Sequence, residues 1–296
     1  MNKKKKNKIK KSPSEIIFDM VIYTSLAVVL IATFYPLWYV VVASFSPGSY
    51  IAQQGVALLW PGEFTLGAYK LAFKHPLLIS GFKNSILILV LALPINIFIT
   101  VLCAYFMAST NMLWKKPIMV LITFTMFFSA GIIPKYLTIK DLGLYDSIWA
   151  LVLPTALSVY NAIICKTAIE GIPPSLQESA YVDGANDWTV LFKIILPLIK
   201  PTLAVLVLYY GVGHWNSWFD ASIYIKTESK LPVQNILRAV LMANKNMAES
   251  VGDQYNAYAE AIQYAAIVII TVPILCVYPF LQKHFAKGVM IGAVKG

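Results

Sequence analysis

The stretch from residue 177 to residue 201, QESAYVDGANDWTVLFKIILPLIKP, determines how the rest of the chain is interpreted. It starts polar and acidic although long apolar runs lie on both sides, so its first half must lie in water. Ser175 with Glu178 fits a capping box at the start of one short helix. Gly184 suits the left-handed position at its end, and Asp187 is placed to cap a second helix. The stretch predicts two short helices, joined at Gly184, that lie across the membrane surface.

The chain as a whole has the composition of a membrane protein. It has 296 residues, of which 58% are hydrophobic and 13% are charged, and its mean hydropathy is +0.68. Long apolar runs without charge indicate membrane-spanning helices. We therefore predict an all-α membrane protein with about six transmembrane helices. The expected spans are residues 16–43, 84–108, 117–134, 147–169, 198–219 and 258–281.

Residues 1–15 form a basic tail, with seven lysines between positions 3 and 11. The apolar run that follows, 16–43, is much longer than the hydrophobic core of a signal peptide, so we interpret it as the first span. Binding of nucleic acid by the tail is the alternative. A basic tail beside a membrane span explains the same lysines more simply, and no nucleic-acid partner is expected.

The distribution of charge predicts the orientation. Six spans place both termini on the same side of the membrane. That side carries 15 basic and six acidic residues, whereas the other side carries nine basic and eight acidic residues. Because basic residues are enriched in cytoplasmic segments, we expect a multi-pass protein of the cytoplasmic membrane with both termini in the cytoplasm. The two long external loops, about 44–83 and 220–257, are expected to contact a partner rather than to act only as lids.

Several kinds of chemistry find no support in the sequence. No G-x-x-x-x-G-K-[ST] motif occurs, so any ATPase must be a different chain. No Ser/His/Asp arrangement and no paired carboxylates within the spans point to an enzyme. The cysteines lie in or at the ends of apolar spans and the histidines are scattered, so no metal site or disulfide framework is expected. These residues are Cys103, Cys165, Cys276, His75, His214 and His284.

A spaced motif within the 177–201 stretch resembles one from a known family. Glu178-Ser179-Ala180 is followed after three residues by Gly184, and after nine more by Ile194-Ile195-Leu196-Pro197. This pattern resembles the EAA loop of importer-type ABC-transporter permeases, in which Ala stands where this chain has Ser179. The resemblance implies that a coupling loop at about 173–201 contacts an ATPase subunit; an ordinary helix-turn-helix between two spans is the alternative. The residues expected to couple to the ATPase are Glu178, Ser179, Ala180, Asp183, Gly184, Ala185, Ile194, Leu196 and Pro197.

The end of the chain, 287–296, reads KGVMIGAVKG and resembles the tail of sugar-importer permeases. In those relatives a glycine-rich tail ending in Val-Lys-Gly reaches into the interface of the ATPase dimer. The resemblance therefore implies a cytoplasmic tail after a transmembrane permease domain at 16–286. Its expected contacts with the ATPases are Gly292, Val294, Lys295 and Gly296.

Together these features are similar to type I ABC-importer permeases of the carbohydrate, maltose-permease-like class. The resemblance implies a second homologous permease, two ATPase subunits that bind ATP and Mg, and an extracytoplasmic solute-binding protein that delivers an oligosaccharide. The chain itself would bind no cofactor or metal and would perform no bond chemistry; it would contact lipid and move sugar by alternating access. An ABC importer for another solute is one alternative. A secondary transporter is the other, although the spans lack the mid-membrane carboxylates which that class needs.

Polar residues in the spans are candidates for the sugar pathway. His214, Trp215 and Asn216 lie at the outer end of the fifth span, where a ring could stack on a sugar face while amides bind hydroxyls. Asn96 and Asn161 lie within spans and must face protein or water. We expect His214 and Asn216 to face the pathway, with Trp215 as a stacking partner. An interfacial aromatic belt and hydrogen bonds between helices are the alternatives.

Overall fold

The structure is a computed structural model that describes residues 12–109, 113–248, 260–276 and Pro279, with side chains up to residue 242 in the second range. All regular elements within these ranges are helices. Contacts divide the chain into two compact units. The first comprises Met1–Lys70 with Met247–Val268, and the second comprises Leu71–Asn246 with Ile269–Gly296.

The first unit contains the long helix α1, Pro13–Ser44, and helix α2, Gly48–Gln54. A capping box starts α1: the Ser12 N–H donates to a Glu15 carboxylate oxygen over 2.9 Å. The helix is long and apolar enough to cross a bilayer, and most of its apolar side chains are exposed. The core of this unit is formed by Val42, Ala43, Ile51, Leu58, Ala68, Ala261 and Ala265.

The second unit is built on helix α4, Leu78–Ala108, which follows the short helix α3, Gly67–Phe73. Buried residues recur along α4 every three or four positions, so one face of the helix packs against its neighbours. These neighbours are α8, Val159–Glu170, and α12, Lys200–Asn216. The buried positions on α4 are Leu78, Gly81, Ser85, Ile88, Ala92, Asn96, Thr100, Val101, Ala104 and Met107.

The third span is bent. The sequence predicts one helix over 117–134, but α5, Lys115–Phe127, meets α6, Ile132–Asp141, at 111°. At 13 residues, α5 is only about 20 Å long, which is shorter than the hydrocarbon core of a bilayer. The chain turns at Gly131, whose φ of +83° favours glycine. The predicted span 117–134 is therefore divided between two helices, with the break at residues 128–131.

The fourth span is interrupted within the predicted range 147–169. Helix α7, Trp149–Val152, continues as a 3₁₀ turn to Thr155, and this pair meets α8 at 48°. We call residues 156–158, which separate the two parts, the span-four break. Pro154 lies in the 3₁₀ turn just before it, and a proline removes a backbone donor from a helix.

The fifth span is preceded by a second sharp bend. Helices α9, Pro174–Val182, and α10, Asp187–Thr189, are followed by a π-helical turn, Val190–Ile195. The turn runs into α11, Leu196–Leu198, and the whole segment from Asp187 meets α12 at 82°. The described part of the sixth span is the apolar helix Glu260–Cys276. In the described residues, two helices can cross a membrane alone and up to five spans exist if each bent pair counts as one.

The external segment predicted at 220–257 is largely helical where it is described. Helices α13, Phe219–Tyr224, and α14, Val233–Ala248, flank a turn at 225–232. The segment is therefore a folded part of the second unit up to residue 246 rather than an extended loop.

Asp146 anchors this turn. Its Oδ1 accepts hydrogen bonds from the N–H groups of Lys226 and Thr227, both at 2.9 Å. Its Oδ2 accepts from the Thr227 hydroxyl at 2.6 Å and from Lys230 Nζ at 3.0 Å. These bonds, the Thr227 hydroxyl first, hold the pKa of the Asp146 carboxyl well below its usual range. The turn is thus fixed to the chain that precedes α7.

Gly81 provides a test of the packing between α4 and α14. A Cβ at this position would lie 3.1 Å from the Val233 Cα, which belongs to the backbone and cannot rotate away, and 3.0 Å from an Ile236 carbon. We expect Gly81→Val to destabilise the protein by about 1–3 kcal/mol, measured as a lower thermal midpoint of the purified chain. Gly211→Val is the matched control, because a Cβ there meets nothing within 4 Å. Equal midpoints for the two variants would contradict the packing described.

Asp146→Ala should release the turn at 226–230, because two backbone N–H groups lose their acceptor. The expected result is lower hydrogen-exchange protection of Lys226 and Thr227, with no change in Asp141→Ala, which removes an exposed carboxylate at the end of α6. A lowered folded-state pKa stabilises the fold above the ordinary carboxyl value of 3.8 and loses its effect as pH falls through the folded-state value. Wild-type protection factors should therefore be the same at pH 8 and pH 5; a fall at pH 5 would oppose this assignment.

Candidate functional site

The coupling loop has the two-helix form that its sequence predicts. Helix α9 ends in a Schellman motif: the Gly184 N–H donates to the Tyr181 carbonyl at 3.0 Å, and the Ala185 N–H donates to the Ala180 carbonyl at 2.9 Å. Gly184 has φ of +81°, so its predicted left-handed conformation is confirmed. A Cβ at Gly184 would meet nothing within 4 Å. Conformation alone, and not space, therefore favours glycine at this position.

Both predicted helix caps of the loop are wrong. The cap position of α9 is Pro173 and carries no side-chain hydrogen bond; Pro174 occupies the first turn, where proline is already favoured, so the Ser175 box does not form. The second helix is capped by Asn186, whose side chain accepts from the Thr189 N–H at 2.8 Å. Asp187 lies one residue later and makes a different contact.

Asp187 joins the two loop helices to α4. Its Oδ1 accepts a hydrogen bond from the Tyr181 hydroxyl at 2.6 Å and a longer one from the Tyr105 hydroxyl at 3.4 Å. The two phenol oxygens are 3.1 Å apart. Partial burial, together with the bond to Asp187, raises the pKa of the Tyr181 phenol. Three elements, α4, α9 and α10, therefore meet at one carboxylate.

The inner face of the loop packs on α4 and α8. We call the buried residues at this contact the base cluster. Ala180, Val190, Leu191 and Ile195 come from the loop, and Ala185, Ile194 and Leu196 pack against them. The base cluster is completed by Val101, Ala104, Cys165, Ile169, Ile172, Ile199 and Leu206. Four predicted coupling residues, Ala180, Ala185, Ile194 and Leu196, thus hold the loop to the spans.

The outer face of the loop is open. Glu178, Ser179, Asp183, Gly184 and Pro197 are exposed. Beside them lie apolar side chains that the motif does not include: Val182 is 87% exposed and Trp188 is 56% exposed. Exposed apolar residues next to charges are typical of an interaction surface. Sequence reasoning missed Val182 and Trp188, although large apolar residues in a polar stretch are a usable signal.

A cavity of about 450 Å³ lies in the second unit beside the span-four break. Two of the predicted pathway residues, Asn161 and His214, line it, whereas Asn96, Trp215 and Asn216 do not. Apolar walls come from side chains such as Ile88 and Leu151. The other side chains with polar groups on its wall are Thr155, Ser158, Tyr209, Tyr210 and Ser217.

Asn96 lies behind the cavity wall and has no exposed surface. Its Nδ2 donates to the carbonyls of Thr155 and Ala156, at 2.7 and 3.1 Å. Its Oδ1 lies 2.9 Å from His214 Nε2. Because the Asn96 nitrogen is the donor to both carbonyls, its oxygen must be the acceptor, so His214 carries its hydrogen on Nε2. Asn96 therefore holds the break and orients His214.

Tyr210 makes a second link at the break. Its hydroxyl oxygen accepts from the Ser158 N–H at 2.9 Å and lies 2.6 Å from Thr100 Oγ1. The phenol hydrogen is then free to be donated to Thr100. The sequence analysis did not predict Tyr210 or Thr100 as site residues, because both lie in apolar runs without a motif.

Trp215 and Asn216 are placed away from the cavity. Trp215 is 7% exposed, and its Nε1 donates to the Ile270 carbonyl at 3.2 Å. The Asn216 side chain is exposed and lies 3.4 Å from the Gln234 amide nitrogen. The indole expected to stack on sugar thus belongs to the packed core. The predicted tail contacts Gly292, Val294, Lys295 and Gly296 lie outside the described residues.

The sequence matches the family described as binding-protein-dependent transport system inner membrane component over residues 84–291, and the chain belongs to that family. It is a multi-pass permease subunit of an ABC importer, and the family comprises permeases rather than ATPases. The expected resemblance to type I importer permeases is confirmed, and the secondary-transporter alternative is excluded. Among the described residues, no group of three His, Cys, Asp or Glu side chains could hold a metal ion.

Curated relatives match almost the whole chain. The polygalacturonan/rhamnogalacturonan transport system permease protein YtcP of Bacillus subtilis (strain 168) is 38% identical over 283 residues, covering 95% of this chain and 99% of the relative. Protein LplC of the same organism is 40% identical over 282 residues, covering 95% of each chain.

A solved structure confirms the all-α permease fold with about six transmembrane helices. It is a bacterial ABC transporter involved in the import of the acidic polysaccharide alginate, with a TM-score of 0.85 and 30% identity, covering 94% of this chain and 100% of that chain. A second structure, an alginate ABC transporter in complex with an alginate pentasaccharide-bound periplasmic protein, has a TM-score of 0.59 at 18% identity. It covers 90% of this chain and 94% of its own and supports the fold alone.

Tyr181→Phe tests the link at Asp187. The variant keeps the ring but removes the hydroxyl that donates at 2.6 Å, so the loop should follow α4 less closely. We expect the amount of solute transported per ATP hydrolysed to fall roughly twofold to tenfold, the range of one hydrogen bond. Tyr160→Phe, on exposed α8 surface, should leave the ratio unchanged. An unaltered ratio in Tyr181→Phe would show that the hydrogen bond from Tyr181 to Asp187 has no part in coupling.

Proposed function

We propose that this chain is one of two homologous permeases in an importer that carries an oligosaccharide or polysaccharide fragment across the cytoplasmic membrane. The main observation behind the proposal is the coupling loop. Its two helices are joined at Gly184, its outer face is exposed and charged, and its inner face is buried against α4 and α8. Support for a sugar comes from the relative named for polygalacturonan and rhamnogalacturonan and from the structural neighbour involved in alginate import.

The proposed assembly has further subunits. Two ATPases bind ATP and Mg and contact the coupling loops, one on each permease, while this chain binds no cofactor and has no ATPase site. An extracytoplasmic solute-binding protein delivers the sugar; the description of the family as binding-protein-dependent supports this partner. Both termini lie in the cytoplasm, as the charge distribution indicates, and the tail at 287–296 contacts the ATPases through Gly292, Val294, Lys295 and Gly296. Lipid surrounds the spans, and no nucleic acid is involved.

Force would pass through the base cluster. When the ATPases close on ATP, they push on the exposed face of α9. The buried contacts of Ala180 with the base cluster transmit the push to α4 and α8, because close-packed apolar groups resist compression. Both helices also border the cavity, through Ile88 on α4 and Asn161 on α8. A rigid-body shift of the loop would thus change access to the cavity, which is alternating access by domain movement.

The sugar pathway follows the cavity. Asn161 and His214 face it, and Asn96 orients His214 from behind. The exposed Tyr209 ring offers an apolar face of the kind that stacks on sugars. Asn216 lies outside the cavity near α14 and would meet sugar only at entry.

Glu178→Lys tests the proposed function. Glu178 is exposed on α9, where it offers a negative charge to a basic residue of the ATPase. In proteoliposomes that contain the partner permease, both ATPases and the binding protein, we expect the reversal to reduce oligosaccharide uptake and sugar-stimulated ATP hydrolysis at least tenfold, roughly the cost of an interfacial charge clash. Insertion into the membrane should be normal.

Glu170→Lys is the matched control. It reverses a charge at the exposed end of α8, outside the loop, and removes only an i,i+4 pair with Lys166, worth about 0.5 kcal/mol at most. It should retain most of the uptake. Normal uptake in Glu178→Lys would refute the coupling role, and absence of oligosaccharide uptake by the wild-type assembly would refute the proposed function.

A further inference from the structure

The chain that follows α1 in the first unit folds back along this helix. Helix α2 leads into a 3₁₀ turn at Gly55–Ala57. The Tyr35 hydroxyl donates a hydrogen bond to the carbonyl of Val56, within this turn. Tyr35 lies before the end of α1 at Ser44, by about 14 Å of helix axis at 1.5 Å per residue. The chain has therefore returned to the body of the first span.

Beyond the 3₁₀ turn the chain runs along α1 again, towards the end of the helix. Trp38 Nε1 donates to the Leu59 carbonyl at 2.9 Å. Further along, the Phe64 ring stacks on Phe45, the residue that ends α1, with the ring centroids 5.0 Å apart. These contacts keep the same order in both segments, so the 3₁₀ turn lies nearest the middle of α1. We call residues 55–60 the return segment.

The length of α1 gives the depth of this contact. Its 32 residues extend about 48 Å, whereas the hydrocarbon core of a bilayer is about 30 Å thick. Counting about 20 residues, one core thickness, back from Tyr35 reaches the end of the basic tail, 1–15. The lysines of that tail stay outside the hydrocarbon. This count places Tyr35 at the far edge of the core, where Tyr and Trp are enriched.

The side chains of the return segment divide between the protein and the surroundings. Leu58 is buried in the core of the first unit, whereas Val56 is 85% exposed and Trp60 is 70% exposed. The Trp38 ring joins this surface to α1, since its centroid lies 5.6 Å from that of Trp60 and 6.1 Å from that of Phe34. We call the resulting continuous apolar surface the flank patch. Its exposed side chains are Val56, Leu59 and Trp60 with Phe34 and Leu37 of α1.

Charge and hydrogen bonding favour lipid over protein as the neighbour of the flank patch. Residues 20–62 contain no Asp, Glu, Lys, Arg or His, so the return segment lacks the charged rim that is typical of a surface for a soluble partner. Backbone carbonyls beside lipid need partners within the protein. Two carbonyls of the return segment obtain theirs from aromatic side chains of α1.

We propose that the flank patch is an interfacial membrane anchor, in which the return segment lies among the lipids of the leaflet at the Ser44 end of α1. Tyr35 and Trp38 position the segment, and Val56, Leu59 and Trp60 contact lipid. In the orientation proposed above this is the outer leaflet. Part of the predicted external loop 44–83 thus faces lipid. Interfacial aromatic anchors help to set the tilt and rotation of a span, so the anchor fixes how α1 sits in the bilayer.

Spin labelling tests the depth of the return segment. Val56→Cys carries a nitroxide in the assembled importer, in lipid nanodiscs, with the native cysteines of the complex changed to Ser. Leu59→Cys replaces Val56→Cys if the latter does not assemble. Glu63→Cys is the matched control, because Glu63 is exposed and precedes Phe64, whose partner Phe45 lies about 15 Å beyond Tyr35 along α1.

The measurement compares how often each label collides with oxygen and with a neutral nickel chelate. Oxygen is apolar and concentrates in lipid, whereas the polar chelate stays in water. We expect the label at position 56 to collide more often with oxygen, and the label at position 63 to collide more often with the chelate. Adding the binding protein with ATP should leave both values unchanged.

Tyr35→Phe tests the hydrogen bond that holds the return segment. The variant keeps the ring and removes the hydroxyl that donates to the Val56 carbonyl, so the ratio of oxygen to chelate collisions at position 56 should fall. Tyr23→Phe removes a hydroxyl from an exposed tyrosine on the same helix and should leave the ratio unchanged. An equal ratio in both variants would overturn the positioning role given to Tyr35.

Three results at position 56 would overturn the proposal. More collisions with the chelate than with oxygen would place the segment in water. Few collisions with either reagent would show that another permease covers the flank patch. Loss of oxygen collisions on addition of the binding protein would show that this protein is the partner. None of these readings depends on transport, so failure of the anchor leaves the proposed function untouched.

Discussion

A helix that breaks inside a membrane must find partners for its backbone, because lipid offers none. At the span-four break these partners come from two other helices. Asn96 on α4 binds two carbonyls, and Tyr210 on α12 accepts the Ser158 N–H. One amide and one phenol therefore hold three spans together around a cavity. The apolar packing of α4 adds stability, but these polar contacts fix which way the broken helix points.

The coupling loop depends on the same helices further along the chain. Val101 and Ala104 on α4, with Cys165 and Ile169 on α8, form the surface on which the loop rests. Helices α4 and α8 therefore contact both the cavity and the coupling loop. Neither helix is broken between the cavity and the base cluster. A carboxylate, Asp187, adds a polar tie at the end of α4. Continuous helices therefore connect the water-exposed coupling loop to the cavity in the membrane. Such a connection allows a movement of the loop to change access to the cavity.

Local sequence predicted features that depend on local chemistry. The left-handed turn at Gly184 follows from the conformational freedom of glycine, and it is confirmed. The predicted cap of the next helix, Asp187, lies one residue after the observed cap, Asn186. Both residue types are favoured at this position, and Asp187 instead accepts hydrogen bonds from Tyr181 and from the distant Tyr105. That contact spans 82 positions in the chain and leaves no trace in the local pattern.

The limits in the membrane have a similar origin. Hydropathy shows that residues 147–169 are apolar, but it does not show where the helical hydrogen bonds of this segment end. Pro154 is the one residue in its sequence that indicates a break, because proline has no N–H to donate. Asn161 and His214 were found as polar residues in apolar surroundings, and the cavity brings them together. The same signal selected Trp215, whose burial against the Ile270 carbonyl is decided by the sixth span.

The π-helical turn Val190–Ile195 carries one further consequence. Such a turn amounts to one residue inserted into an α-helix, and each residue rotates the chain by about 100°. Deleting one residue there would restore α-helical winding and rotate the glutamate of the loop by about that angle around the axis of the segment Asp187–Leu198, which lies at 82° to α12, so the spacing between Gly184 and Pro197 is an angular setting as much as a length.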